Sequence, residues 1–245
     1  MNNSTESAKG ADALSSRAHA APPMKAGSYT RAHLVETALR ILDEFGLADL
    51  SMRRLAGVLE VAPSALYWHV PNKQTLLALV ADQIISRAAP VDHADFVTNE
   101  AIDWKAVTLA EGRAIRDALL AYRDGAEVVS STLALGLGAG EALARIRSGL
   151  DYVCGSVANG PAIAEVTGES LLFLILGQVW HQQQRMQADS LGVVSPEFGL
   201  QPGDASDAGV LAGAGLRVLP VQSDSLDFGI ELILDGLEKR LATAP

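Results

Sequence analysis

The chain reads as an all-α protein: an N-terminal three-helix helix-turn-helix unit followed by a larger C-terminal helical domain. Three observations predict this. Apolar residues recur at helical spacing in segment after segment, and no Asn-Gly or Asp-Gly turn joins two alternating β-branched runs. The composition is 49% hydrophobic but only 5% aromatic, which suits helices packed through aliphatic side chains. Finally, "SALYWHVPNK" (Ser64 to Lys73) sets three ring side chains on one short helix that Pro71 must end, because a proline pushes the residue before it out of the helical region.

Residues 1–27, rich in Ala and Ser and without apolar periodicity, are expected to form a disordered arm. The helix-turn-helix unit is expected over residues 28–90. Thr30 is placed to cap a first helix, on which Leu34, Ala38, Ile41, Leu42 and Phe45 share a face before Gly46 stops it. Ser51 caps a second helix that ends near Glu60, with Leu50 stapled to Leu55. Pro63 is tolerated in the first turn of the third helix, where its missing N–H is not needed. Asn72 caps a fourth helix, whose stripe of Leu76, Leu77, Val80 and Ile84 ends by Pro90.

The larger domain is expected over residues 91–245. Residues 104–123, 140–158 and 163–187 read as long helices punctuated by Pro161 and several glycines. Residues 188–223 carry turn chemistry and read as a long loop. Leu226, Ile230, Ile233, Leu234, Leu237 and Leu241 then line one face of a final helix.

On the third helix, Leu66 and Val70 lie on one side and can lock onto Leu55 and Leu59 of the second. Ser64, Ala65 and Trp68 then face away, flanked by Tyr67 and His69. Consecutive residues cannot all point inward, so these rings are read as displayed rather than as core. Two short helices joined by a tight turn form the arrangement that places its second helix in the major groove of DNA. Short Ser64 and Ala65 allow close approach to base edges, while Tyr67, His69, Lys73, Arg53 and Arg54 can meet phosphates. The formal charge of -10 does not exclude this. Residues 25–90 carry seven Lys and Arg against six Asp and Glu, so the negative charge sits in residues 91–245, with ten against twenty-one.

The run "TRAHLVETALRILDEFGLADLSMRRLAGVLEVAPSALYWHVPNKQTLLALVAD" resembles the DNA-binding domain of the tetracycline-repressor (TetR) family over residues 30–82. "ALLAYRDGAEVV" and "FGIELILDGLEKRL" are similar to parts of its tetracycline-repressor-like branch. The resemblance implies an all-helical homodimer that represses transcription and leaves its operator, double-stranded DNA, when a small molecule enters the C-terminal domain. By position, the family's DNA contacts carry over to Arg53, Pro63, Ser64, Ala65, Tyr67, His69 and Lys73. Glu60 stands where a turn glycine is common. Name-giving members hold a metal-chelated drug through histidines, but this chain has Val129 after "RDGAEV" and no histidine in "IISRAAP". A metal-free, mostly apolar organic effector is therefore expected, with no cofactor. Candidate pocket residues are Trp104, Tyr122, Val129, Tyr152, Phe173 and His181.

A single helix-turn-helix reads few base pairs, so two copies on a twofold axis are expected. The helices near 163–187 and 225–242 could pair across that axis or fill their own core; the resemblance favours pairing. The glycines of "LGLGAGEALA" fit neither a P-loop nor a dinucleotide fingerprint, and no nucleophile or zinc spacing is present, so a non-enzyme is expected. One cysteine, no apolar leader and no apolar run near the ~20 residues of a membrane span predict a cytoplasmic protein. An activator of the same fold and a helical ligand-binding protein that does not touch DNA remain the alternatives.

Overall fold

The computed structural model describes residues 29–138, 140–192 and 223–243. The expected arm, 1–27, and residues 193–222 of the expected loop lie outside the described residues.

Four helices come first: α1 (Arg31–Phe45), α2 (Met52–Val58), α3 (Pro63–Leu66) and α4 (Lys73–Ser86). Three begin where a side chain takes up an orphan backbone N–H. Thr30 accepts from His33, Ser51 from Arg54 and Asn72 from Thr75. α3 begins on Pro63 itself. Leu34, Ala38 and Leu42 of α1, Leu55 of α2, Leu66 and Val70 around α3, and Leu76, Val80 and Ile84 of α4 are buried in one core. Two local expectations change. Phe45 is not part of that buried stripe: at the last residue of α1 its ring is covered by the Arg54 guanidinium, 3.8 Å from the ring centroid. α2 stops at Val58, short of Glu60, because Glu60 takes a left-handed backbone (φ 54).

Five helices follow: α5 (Trp104–Leu120), α6 (Gly125–Ala134), α7 (Gly140–Cys154), α8 (Gly160–Ser190) and α9 (Ser223–Ala242). The expected helix at 104–123 ends early, and α6 is an addition. Its Val, Ser and Thr are indifferent helix formers, so burial of Val128, Val129 and Thr132 carries it rather than propensity. α7 is shorter than expected, and α8 is longer at both ends, with Pro161 in its first turn.

The turns entering α6 and α8 share one construction. Asp124 (φ 55) and Asn159 (φ 57) are left-handed, and a glycine follows each. A Cβ on Gly125 would lie 2.4 Å from the Leu119 carbonyl oxygen, and one on Gly160 would lie 1.7 Å from that of Cys154. Gly125 is therefore a close-approach residue, required because no side chain fits against the Leu119 carbonyl.

α7 packs on α5 and α8, α6 on α4 and α8, and α9 on α5 and α8. Between α4 and α5 lie a 3₁₀ helix (His93–Phe96) and a two-residue antiparallel ladder, Val97–Thr98 with Ala101–Ile102. These are the only strands among the described residues, a small exception to an all-helical chain. α8 is long and apolar enough to cross a membrane by length and composition. Its Leu171, Leu172, Ile175, Leu176 and Val179 are instead buried in the shared core.

Candidate nucleic-acid interface

α3 is a single turn held by two anchors, Leu66 and Val70, which are 2% and 1% exposed. Its other side chains have nowhere to go but outward. Pro63, Ser64, Ala65, Tyr67, Trp68 and His69 are all exposed, Tyr67 at 50% and Trp68 at 90%. The end of the turn is tied back: Arg31 Nη2 donates to the His69 carbonyl at 3.3 Å, and the Tyr29 hydroxyl donates to the Leu59 carbonyl at 2.8 Å.

The flanking cations differ. Arg53 is exposed, while Lys73 at the start of α4 is half-buried. Arg54 is occupied, paired with Asp49 at 2.6 Å and lying over Phe45. The surface thus offers short side chains at the start of a turn, rings with hydrogen-bonding edges beside them, and cations at its rim. Such a surface fits a groove between two phosphate rails.

The six candidate pocket residues do not converge. Val129 is fully buried on α6, Trp104 and Tyr122 are half-buried, and Tyr152 is half-exposed and bonded to His93 Nδ1 at 3.1 Å. Phe173 and His181 lie on the outer face of α8. Helical geometry explains this: Phe173 follows buried Leu172 by about 100° and His181 follows buried Val179 by about 200°. Phe173 and His181 therefore lie outside the interior, His181 in a surface hollow with Gln178, Gln182 and Arg185.

The interior polar groups are others. Buried Glu111 (α5) pairs with half-buried Arg145 (α7), Nε to Oε2 at 2.6 Å. Gln183 (α8) is buried and donates to the Leu119 and Tyr122 carbonyls at 3.0 and 2.8 Å, while its oxygen accepts from Ala126 N–H at 3.2 Å. The next turn of α8 brings Gln187 to Asp124, whose other carboxylate oxygen accepts from Leu47 N–H at 2.8 Å. One carboxylate thereby joins α8 to the loop between α1 and α2. Glu111 had a sequence signal: it falls on the stripe of Val107, Ile115 and Ala118.

The outer face of α8 shows Val166, Phe173 and Trp180, at seven-residue spacing and 63, 60 and 46% exposed. Phe228 and Leu232 of α9 are exposed as well. A groove of about 750 Å³ between the two helices is lined by Ile163, Val166, Ser170, Leu232, Gly236 and Leu241.

The family model described as "Bacterial regulatory proteins, tetR family" matches residues 34–80, and "Tetracyclin repressor-like, C-terminal domain" matches residues 98–187. The chain is similar to the Escherichia coli tetracycline repressor protein class A from transposon 1721, 37% identical over 99 residues. That match spans 40% of this chain and 44% of the repressor. Among solved structures, BioQ with its natural double-stranded DNA operator is 31% identical, covers 88% of this chain and 99% of its own, and has a TM-score of 0.63. The Streptomyces coelicolor TetR family protein ActR, in complex with (S)-DNPA, is 28% identical, covers 89% and 99%, and has a TM-score of 0.61. With both family models matched and the likeness to BioQ running across nearly all of that chain, this protein belongs to the TetR family of bacterial regulatory proteins, in its tetracycline-repressor-like branch.

Proposed function

We propose that the protein is a ligand-responsive transcriptional repressor. It binds a palindromic operator as a homodimer and lets go when a small, mostly apolar organic effector enters its C-terminal helices. The observation that carries this reading is the outward display of Ser64, Ala65, Tyr67, Trp68 and His69 on a turn whose inner side is filled by Leu66 and Val70. In the reading, Ser64 and Ala65 approach base edges with Pro63 and Trp68 beside them, and Tyr67, His69, Lys73 and Arg53 hold phosphates. Arg54 contributes charge from within its pair with Asp49. The protein acts by binding rather than catalysis, and acts where its operator is, in the cytoplasm.

The outer stripes of α8 and α9 supply the second copy's seat, forming a four-helix bundle across the twofold axis. Two α3 turns about 34 Å apart then meet successive major grooves. Effector binding favours a domain arrangement in which that spacing is lost. Asp124, held by Gln187 of α8 and holding Leu47 N–H, lies on the path between the two parts.

Footprinting on DNA flanking the protein's own gene supplies the operator. Tyr67→Ala and Lys73→Ala are then expected to lose affinity for it while keeping helix content and dimer. Lys73→Ala should also lower the slope of log affinity against log salt by about 2, one phosphate contact from each copy. Unchanged affinity in both variants would overturn the assignment. Reporter expression from that promoter distinguishes repression from activation.

A further inference from the structure

The pair of buried Glu111 and half-buried Arg145 makes contacts that a contribution to stability does not explain. Burying two charges costs several kcal/mol of solvation, and such pairs are commonly no better for stability than apolar residues of the same size. Here the whole donor fork of Arg145 is directed at one place. Nε donates to Glu111, Nη1 to the Ala88 carbonyl at 3.1 Å and Nη2 to the Ala89 carbonyl at 2.6 Å. Those carbonyls belong to the strap by which α4 leaves the DNA-reading unit.

The same strap is confined on its other sides. Ala88 packs with Ala114 and Ala118 of α5 in a small cluster of its own, so the strap lies close against that helix. Pro90 follows, with its fixed φ. His93 stands behind the pair, Nε2 lying 3.5 Å from Glu111 Oε1 and from Ser148 Oγ, and Nδ1 meeting the Tyr152 hydroxyl. α5, α7 and the 3₁₀ helix thus converge on two peptide units.

We infer that Arg145 and Glu111 are positioning residues for operator recognition: a clamp that sets the direction in which α4 projects, and so where α3 is held. This rests on the reading of α3 as the DNA reader. α4 has 14 residues. At 1.5 Å per residue it is about 20 Å long, so a swing of about 10° at the clamp moves its far end by roughly 3.5 Å. That matches the ~3.4 Å rise of one base step, enough to take α3 out of register. The clamp need not stabilise the fold to matter; it needs to narrow an angle.

The test separates angle from stability. Glu111→Leu with Arg145→Leu removes the charge pair without leaving either charge alone, and Arg145→Lys keeps the charge but lacks a fork that can hold a carboxylate and two carbonyls at once. Each is made in the full chain. A spin label at Val58→Cys, on the exposed side of α2, reports the separation between the two copies' reading units. Cys154 stays unlabelled, since it is buried and burial, with Asp151 nearby, pushes its thiol pKa up.

Both variants are expected to remain dimeric, the double variant with a Tm at or above that of the parent. The label separation should broaden and operator affinity should fall about tenfold, within the range of couplings carried by residues remote from a ligand. A separation and an affinity both unchanged in both variants would overturn the inference. So would affinity and Tm falling together with the separation unchanged, which is what a purely structural pair would give. If the parent itself shows no operator binding, the functional reading fails instead, and the clamp is not what failed.

Discussion

Glu60 closes the turn of the helix-turn-helix with a φ of 54, a conformation in which any side chain but glycine is strained. A glutamate carries no conformational signal of its own, so the position was marked only by the resemblance, in which a turn glycine is common there. Glu60→Gly is expected to stabilise the protein by about 1 kcal/mol in urea unfolding, the relief of left-handed strain exceeding the added freedom of the unfolded chain. Operator affinity should be kept. Residue by residue, the outward face of α3 was legible, since Leu66 and Val70 sit four apart and take its one inner side. The occupation of Arg54 was not, because its partners, Asp49 and Phe45, lie in a loop and in another helix. Phe173 and His181 lie outside the interior for a related reason: residue type proposed them, and the helical phase set by Leu172 and Val179 turns them outward.

At the scale of elements, helix starts were the most readable feature, because a cap is a local bond between neighbours, as at Thr30, Ser51 and Asn72. α6 was not readable, because its helicity comes from what covers Val128 and Val129. The docking of α9 on α5 shows what charge adds to such packing. Lys105 Nζ lies 2.7 Å from both Asp235 and Glu238, and Arg113 lies 2.7 Å from Asp227. Asp235 is pulled below the ordinary carboxylate range by its hydrogen bond to Lys105, and Lys105 is raised by its bonds to Asp235 and then Glu238. A lowered carboxyl stabilises above its unfolded pKa and loses that contribution as pH falls through its folded one. A raised amine stabilises below its unfolded pKa and loses its contribution as pH rises through its folded one. The link is therefore whole between about pH 4 and pH 10. Lys105→Met should flatten the fall of Tm below about pH 4 while changing neutral Tm little, as suits exposed groups. A Tm series from pH 7 to pH 2.5 on both proteins checks it.

For the molecule as a whole, the charge asymmetry was legible directly: an acidic C-terminal part is repelled by DNA, which leaves the near-neutral N-terminal unit to approach it. The helix near 163–187 was legible as strongly apolar, but its outward stripe of Val166, Phe173 and Trp180 was not. That it stands outside its own core follows from which edge of α8 the neighbouring helices α5, α6 and α7 use up, and only the packing shows that. Phe173→Glu puts a charge on that outer face without touching the buried edge. It is expected to give a folded monomer in sedimentation velocity and to weaken operator binding at least 100-fold, because the two half-sites are then held separately. A dimer with parental affinity would exclude this face as the seat of the second copy.

α8 serves two neighbours at once. Its outward rings are the face proposed to seat a second copy, and farther along the same rod Gln183 and Gln187 hold the bend before α6. In the proposed dimer such a shared rod would carry a tilt of one subunit into the other. Release of the operator would then be a joint act, with both half-sites vacated together.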